Sequence, residues 1–591
     1  MPLNNSFFSN LDSLDWGVVF LYFLITVLIG LYFRKRASKS ILSYFVSDRN
    51  LPWWLLGTSM VATTFAADTP LAVTGWIRTE GIWKNWFWWN YIFSHVFIIF
   101  VFSRLWRRAE VITDNELIEL RYSGKPAAIL RGFKAFYFST IFNFIVIGWV
   151  VAAMSKVLGV FFGIEKLYAV IFCLSIAFFY TMLSGLWGVV VTDFLQYIFA
   201  VAGTIILAYV VINSPQIGGY DSFINKINNI DPEHLKLFIT SCENCDKTGF
   251  LSSSFFTFLI FVTVIWWSSH NADGGGYFIQ RFLSAKNEKH AVLGMAWFVV
   301  NHYIIRFWPW VLVALASLIV FPTASVTNGD QEAVYVAMIR DFLGPGLKGL
   351  LLVTFLAAFM STISTQLNWG SSYLLNDIYK RFIKKNATER HYVSISRIIT
   401  FLLTVVSGFI AFQISNIGNA WIFVWAMSSG IGLVLILRWF WWRINAWSEI
   451  TALGVSLISM ILIIAYTRIN GLDLELKYQI IVIPVSIISW VLATFITKPE
   501  PSSKLSEFYK KVRPWGFWSP VSADNPDIKT TPFFPIIINW LLGVCFVITS
   551  LMGIGKILLG SINNGLLLIF FAIVSGFILY KRVKKEFSNL Y

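Results

Sequence analysis

The hydrophobic and polar positions of this chain fall into long blocks, not into the two-sided repeats of soluble helices. Apolar runs nearly free of charge cover residues 16–33, 51–77, 86–102, 135–155, 167–184 and 187–213. They continue at 255–279, 292–321, 349–373, 398–414, 420–437, 452–466, 478–497, 535–554 and 557–580. A bilayer core takes about 20 apolar residues per helix, so the blocks predict about fifteen membrane-spanning helices. The first block has no basic leader and no small-residue cleavage site, and reads as a retained helix.

Two blocks are interrupted. In 51–77, Thr63, Thr64, Asp68 and Pro70 fall at mid-depth. Pro70 lacks a backbone donor and frees carbonyls one turn back, so this helix should be broken there. Five blocks later, Ser268-Ser-His-Asn-Ala-Asp-Gly-Gly-Gly276 interrupts 255–279. Interruptions at matching places in two five-helix halves point to a transporter built from inverted repeats, with its binding site where the broken helices meet.

A third block carries a hydroxyl stripe. Ser361, Ser364, Thr365 and Asn368 follow helical spacing and share one face. Alone, such a stripe reads as helix–helix packing. Beside two broken helices it reads as hard oxygen ligands for a small cation such as sodium. Asp193, about a turn into its span, is expensive in hydrocarbon and marks an ion path more readily than an interfacial cap.

Composition narrows the class. With 57% hydrophobic and 13% charged residues in 591, the chain is neither disordered nor a soluble enzyme. Four cysteines exclude a disulfide scaffold. The net charge of +15 is largely topological, because every second connection is rich in Lys and Arg. An odd span count with basic alternate loops puts the N-terminus outside and the C-terminus in the cytoplasm of a cell membrane. Cys242 and Cys245 lie in an outer loop, where a short disulfide and two free thiols are equally open and a metal site lacks a second ligand pair. Trp83, Trp86, Trp88 and Trp89 read as an interfacial belt, and Arg438 to Arg443 as an inner-interface anchor rather than a nucleic-acid patch. No nucleophile motif or His pair suggests an enzyme.

Five stretches then carry a resemblance: Asn50-Leu-Pro-Trp-Trp-Leu-Leu-Gly57, residues 184–196, Gln280-Arg-Phe-Leu-Ser-Ala-Lys286, residues 356–381 and residues 437–449. Together they resemble the sodium:solute symporter family, which includes sodium/glucose and sodium/proline transporters. The resemblance implies an all-α integral membrane protein, a LeuT-like five-plus-five inverted-repeat bundle with one N-terminal and about four C-terminal additional helices. It implies sodium held by the carbonyls of Ala62, Phe65 and Ala358 with the side chains of Ser361 and Thr362. A second sodium would meet Asp193, Ser361, Ser364 and Thr365. Candidate solute contacts are Thr64, Asp68, Thr69, Trp267, Ser268, Asn271 and His302. Sugar-transporting relatives have Gln, Glu, Asn and Lys where this chain has Thr69, Trp88, Ser268 and His302, which argues against a hexose.

The expected organisation is an N-terminal helix and first cytoplasmic loop (1–50), a first repeat (51–213), an external loop (214–251) and a second repeat (252–441). Two peripheral helices (442–497), a cytoplasmic linker (498–533) and two C-terminal helices with a basic tail (534–591) complete it. The expected activity is sodium-coupled import of a small organic solute, with Na+ as coupling ion and no organic cofactor. The alternative is a transporter-like receptor without net transport. The expected partners are the solute and the lipid bilayer; nothing in the sequence sets an oligomeric state.

Overall fold

The computed structural model describes residues 11–37, 40–230, 232–242, 249–472, 477–528, 530 and 532–588. It is almost wholly helical, and each apolar run has a helix or helix pair in it. Among the described residues, nine helices are long and apolar enough to cross a bilayer alone. Two bent pairs do so together, Ile82–Phe100 with Phe102–Ala109 and Ile417–Ser428 with Gly432–Phe440. Several helix starts are fixed by side chains. Ser253, Asn287, Thr388, Asn416 and Asn445 each accept a bond from the backbone N–H three residues on, which satisfies one orphan donor of the first turn.

Both expected breaks are present. The first separates helices Trp53–Thr64 and Asp68–Thr79, and Pro70 sits in the first turn of the second piece, where a missing N–H is tolerated. The second runs from Ser269 to Gly275, between Trp266–Ser268 and Gly276–Ser284. Its glycines are required by backbone geometry. Gly274 and Gly275 have φ of 127° and 62°, values that penalise a Cβ, and a Cβ on Gly275 would lie 2.1 Å from the Asn271 amide oxygen.

The expected spans 167–184 and 187–213 are joined within one helical stretch, Lys166–Ile212. Lys166 donates to the carbonyls of Phe412 and Ile414 at the end of helix Glu389–Gln413, and Phe178 stacks on Phe401. Further on, the Phe199 carbonyl accepts from Thr354, near the start of the preceding helix Leu347–Ser372. These two helices are consecutive, so that end and that start lie on one side of the molecule. By length and composition Leu186–Ile212 is a candidate span, and Lys166–Phe178 is a shorter apolar helix.

Alternate connections meet on shared faces. On one, Arg131 pairs with Asp377 at 2.6 Å, Arg381 with Glu119 at 2.9 Å and Arg108 with Glu288 at 2.8 Å. On the other, Lys156 pairs with Glu332 at 2.6 Å, and Trp86 donates to the Leu237 carbonyl at 2.8 Å.

Two expectations need correction. The tryptophan cluster is no surface belt: Trp83, Trp86, Trp88 and Trp89 are all at most 7% exposed, packed on Phe261, Phe258, His302 and Phe307. Arg438 is no interface anchor either. It is buried, bonds Asp273 at 2.6 Å and Glu449 at 3.4 Å, and ties the second break to the final helix of the second repeat. In the segment after residue 498, helix Ser502–Val512 is followed by Trp518, which is buried and donates to the Trp439 carbonyl. In the loop after helix Tyr220–Ile227, Cys242 is disulfide-bonded, while Cys245 lies outside the described residues.

Candidate functional site: a cavity between two broken helices

The two breaks line one cavity of about 260 Å³. Thr64, Asp68 and Thr69 enter it from the first break, Ser269, His270, Asn271 and Tyr277 from the second, and Gln366 and Trp369 from the hydroxyl-bearing helix. Five of the expected solute contacts therefore line it: Thr64, Asp68, Thr69, Asn271 and His302. Trp267 and Ser268 do not. They precede the break, and their polar atoms serve helix packing: the Trp267 indole donates to the Thr263 carbonyl, and the Ser268 hydroxyl to that of Ile265.

Apart from Trp88, which the resemblance sets at a solute position, the aromatic and cationic part of the lining was not among the expected contacts. Trp88, Tyr91, His95, Trp421 and Trp425 face the cavity, as does Arg306. Arg306 is fully buried, donates from Nη1 to the Val61 carbonyl at 3.1 Å and from Nη2 to His302 Nδ1 at 2.5 Å. Nδ1 is thereby the acceptor, which places the imidazole proton on Nε2. Thr64 Oγ1 lies 3.1 Å from the same Nδ1. His302 sits in a π-helical turn, Val300–Ile305, an irregularity frequent at functional sites. Opposite, Asp68 accepts from the Trp421 indole at 3.0 Å. The available signal was polar residues within apolar runs, of which His95 and Arg306 are two.

The expected sodium ligands converge in part. Thr362 Oγ1 donates to the Thr63 carbonyl at 2.8 Å and to that of Ala358 at 3.1 Å, so the hydroxyl helix is bonded to the end of the first broken helix. The Ala62 carbonyl accepts from Phe65 N–H at 3.1 Å within that tight end. Hydroxyl and carbonyl oxygens are the donor chemistry a sodium ion takes. Ser361 turns away from this group, towards Asp193.

Asp193 is fully buried but not unpaired, contrary to the expectation. Ser59 Oγ donates to it at 2.5 Å and Ser361 Oγ at 2.7 Å, and Arg281 Nη2 stands 3.8 Å away. Arg281 also donates to Thr365 Oγ1 at 2.8 Å, which lies 3.2 Å from Thr63 Oγ1. A guanidinium thus occupies the place between Asp193 and Thr365 that the expectation gives to a second sodium. Ser364 is not part of this cluster: its hydroxyl bonds the Ser361 carbonyl of its own helix.

Two helices broken at mid-depth, a polar cavity between them and an oxygen-rich cluster behind one break define an ion-coupled membrane transporter of the inverted-repeat type. A family model described as the sodium:solute symporter family matches residues 44–455, and the chain belongs to that family. Sodium/glucose cotransporter 1 of Oryctolagus cuniculus is 24% identical over 553 residues, covering 84% of this chain and 80% of the relative. The sodium/glucose cotransporter of Vibrio parahaemolyticus is 23% identical over 456 residues, 73% and 81% of the two chains. Among solved structures, a Na+-coupled sialic acid symporter in a substrate-bound outward-open state aligns with a TM-score of 0.67 at 20% identity, over 83% of this chain and 99% of that one. The fold is accordingly the LeuT-like five-plus-five bundle, and the protein is a multi-pass, sodium-coupled symporter and not an enzyme.

Proposed function

We propose that the protein imports a small organic solute, bound in the cavity between the breaks, together with sodium bound behind the first of them. The carbonyls of Ala62, Phe65 and Ala358 with the Thr362 hydroxyl form the ion site, which Ser361 joins by turning from Asp193; Thr64, Asp68, Thr69, Asn271 and His302, joined by Arg306, contact the solute. One observation carries this reading. The turn at Thr63–Phe65 faces the hydroxyl helix through the Thr63 carbonyl and the cavity through the Thr64 side chain. Sodium that draws Thr362 and this turn together therefore fixes the wall against which solute rests, and each ligand raises the affinity of the other. Each sodium charge crossing 100 mV supplies about 2.3 kcal/mol.

The basic face is read as cytoplasmic, which puts the N-terminus outside. At the second cluster, the Arg281 guanidinium serves as a tethered cation beside Asp193, and a second sodium binds there only when it withdraws. Proteoliposomes test the main reading. A solute panel of amino acids, sugars, organic acids and betaines should include one compound that accumulates under an inward sodium gradient. Accumulation of none, or unchanged sodium dependence after Ser361→Ala with Thr362→Ala, defeats the proposal.

A further inference from the structure

A second cavity is larger than the solute site. It is a groove of about 900 Å³ on the outside of the repeats, between the Tyr91–Phe100 and Glu288–Val299 helices and the two C-terminal helices Phe533–Leu558 and Ile562–Ser588. Its walls are apolar, with Val96, Ile99, Phe546, Ala572 and Leu579 among them. The last helix is the least covered of the candidate spans, with 17% of its apolar stretch buried, so the groove opens toward the bilayer, where hydrocarbon and not water fills an apolar space.

One end of the groove is different. It carries Lys289 and Lys584, both exposed. The acids beside them are already engaged: Glu288 holds Arg108 through two bonds of 2.8 and 2.9 Å, and Glu586 holds Arg104. Lys289 has the Phe587 ring 5.9 Å from its ammonium, and no carboxylate pairs with either lysine among the described residues. Two uncompensated ammonium groups thus cap an apolar slot on the basic face of the molecule. The geometry points to a binding site for one anionic phospholipid of that leaflet, its phosphate between Lys289 and Lys584 and one acyl chain along the groove. A polybasic site near a membrane surface gains about fivefold in affinity per lysine, roughly 25-fold for two. The C-terminal helix pair then acts as the outer wall of a lipid site.

Purified full-length protein in detergent is titrated with phosphatidylglycerol, with phosphatidylcholine of the same acyl chains, and with glycerol phosphate as the headgroup alone. Bound lipid is counted by native mass spectrometry and thermal stability is followed in parallel. Phosphatidylglycerol should bind and protect, and the other two should not. Lys289→Ala with Lys584→Ala, both on the surface, should weaken that binding about 25-fold. Ala572→Trp, which fills the groove, should abolish it with the lysines intact; should that variant not fold, the lysine pair decides. Equal binding of the two lipids, glycerol phosphate as tight as the lipid, unchanged binding after the lysine substitutions, or a second copy of the chain displacing lipid would overturn the proposal.

Discussion

The sharpest test of the ion cluster is a double-mutant cycle at Asp193 and Arg281. At 3.8 Å, unit charges attract by about 4 kcal/mol with an effective dielectric constant near 20. Removing one member of a buried pair costs about 3–5 kcal/mol, because the other charge stays behind without compensation. Arg281→Gln should therefore destabilise strongly, although Ser59 and Ser361 still donate to the carboxylate at 2.5 and 2.7 Å. Asp193→Asn should do the same by stranding the guanidinium. The double variant strands neither, so its loss should fall short of the sum by about 2 kcal/mol or more. Sodium adds a second arm. In Arg281→Gln, assayed at alkaline pH to hold off protonation, sodium is the cation left to neutralise Asp193, and a ligand at 100 times its Kd stabilises by about 2.7 kcal/mol. Thermal unfolding in sodium against choline should show a larger sodium increment for Arg281→Gln than for the unaltered protein. The double variant gives the increment from the first ion site alone. An additive cycle, or equal sodium increments in Arg281→Gln and the unaltered chain, would refute the tethered-cation reading.

Other expectations follow from single contacts. Thr362→Ala removes an oxygen that bonds across to the Thr63 carbonyl and is a proposed sodium ligand; if losing that ligand costs about as much as a hydrogen bond to a charged group, about 1.5–3 kcal/mol, the sodium concentration for half-maximal uptake should rise about 10–100-fold, with Thr362→Ser near normal. Arg306→Lys cannot reach both the Val61 carbonyl and His302, and uptake assays should show a solute KM raised about tenfold or more. Trp267→Phe should leave solute KM unchanged, since that indole bonds its own helix. Asp273→Asn leaves Arg438 short of its closest partner and should lower the unfolding temperature, with Asp273→Glu intermediate.

The spans and both breaks were legible because their causes are local. An apolar run long enough to cross a bilayer has few other uses, and Pro70 and Gly274–Gly276 limit the backbone whatever packs around them. Side-chain partners were not legible in the same way. Arg281 and Arg438 lie at the ends of apolar runs, and a count of charge per loop assigns them to topology. In the fold, both point inward and neutralise Asp193 and Asp273, residues 88 and 165 positions away. The four tryptophans failed for a related reason, since an aromatic cluster at a span end suits an interface and a core equally until its neighbours are known. The stripe was half legible. Helical spacing put Ser361, Ser364 and Thr365 on one face, but only tertiary contacts separate Ser361 and Thr365, which reach other helices, from Ser364, which bonds its own.

The placement of the sites bears on how coupling arises. The Val61 carbonyl accepts from Arg306 at the cavity, the Thr63 carbonyl from Thr362 at the proposed ion site, and Thr64 meets His302. All three belong to the last turn of one helix, which ends because the chain breaks at Phe65. In a continuous helix the Thr63 carbonyl would meet the N–H four residues on, and this turn would be held within a longer rigid rod. The break gives ion and solute a shared movable element, about a turn in length, so the coupling needs no long chain of intermediates. It also limits what substitution can do. A variant that straightened the Phe65–Ala67 break would be expected to lose ion and solute binding together, whereas one confined to the Asp193 cluster should alter sodium dependence and leave the solute contacts in place.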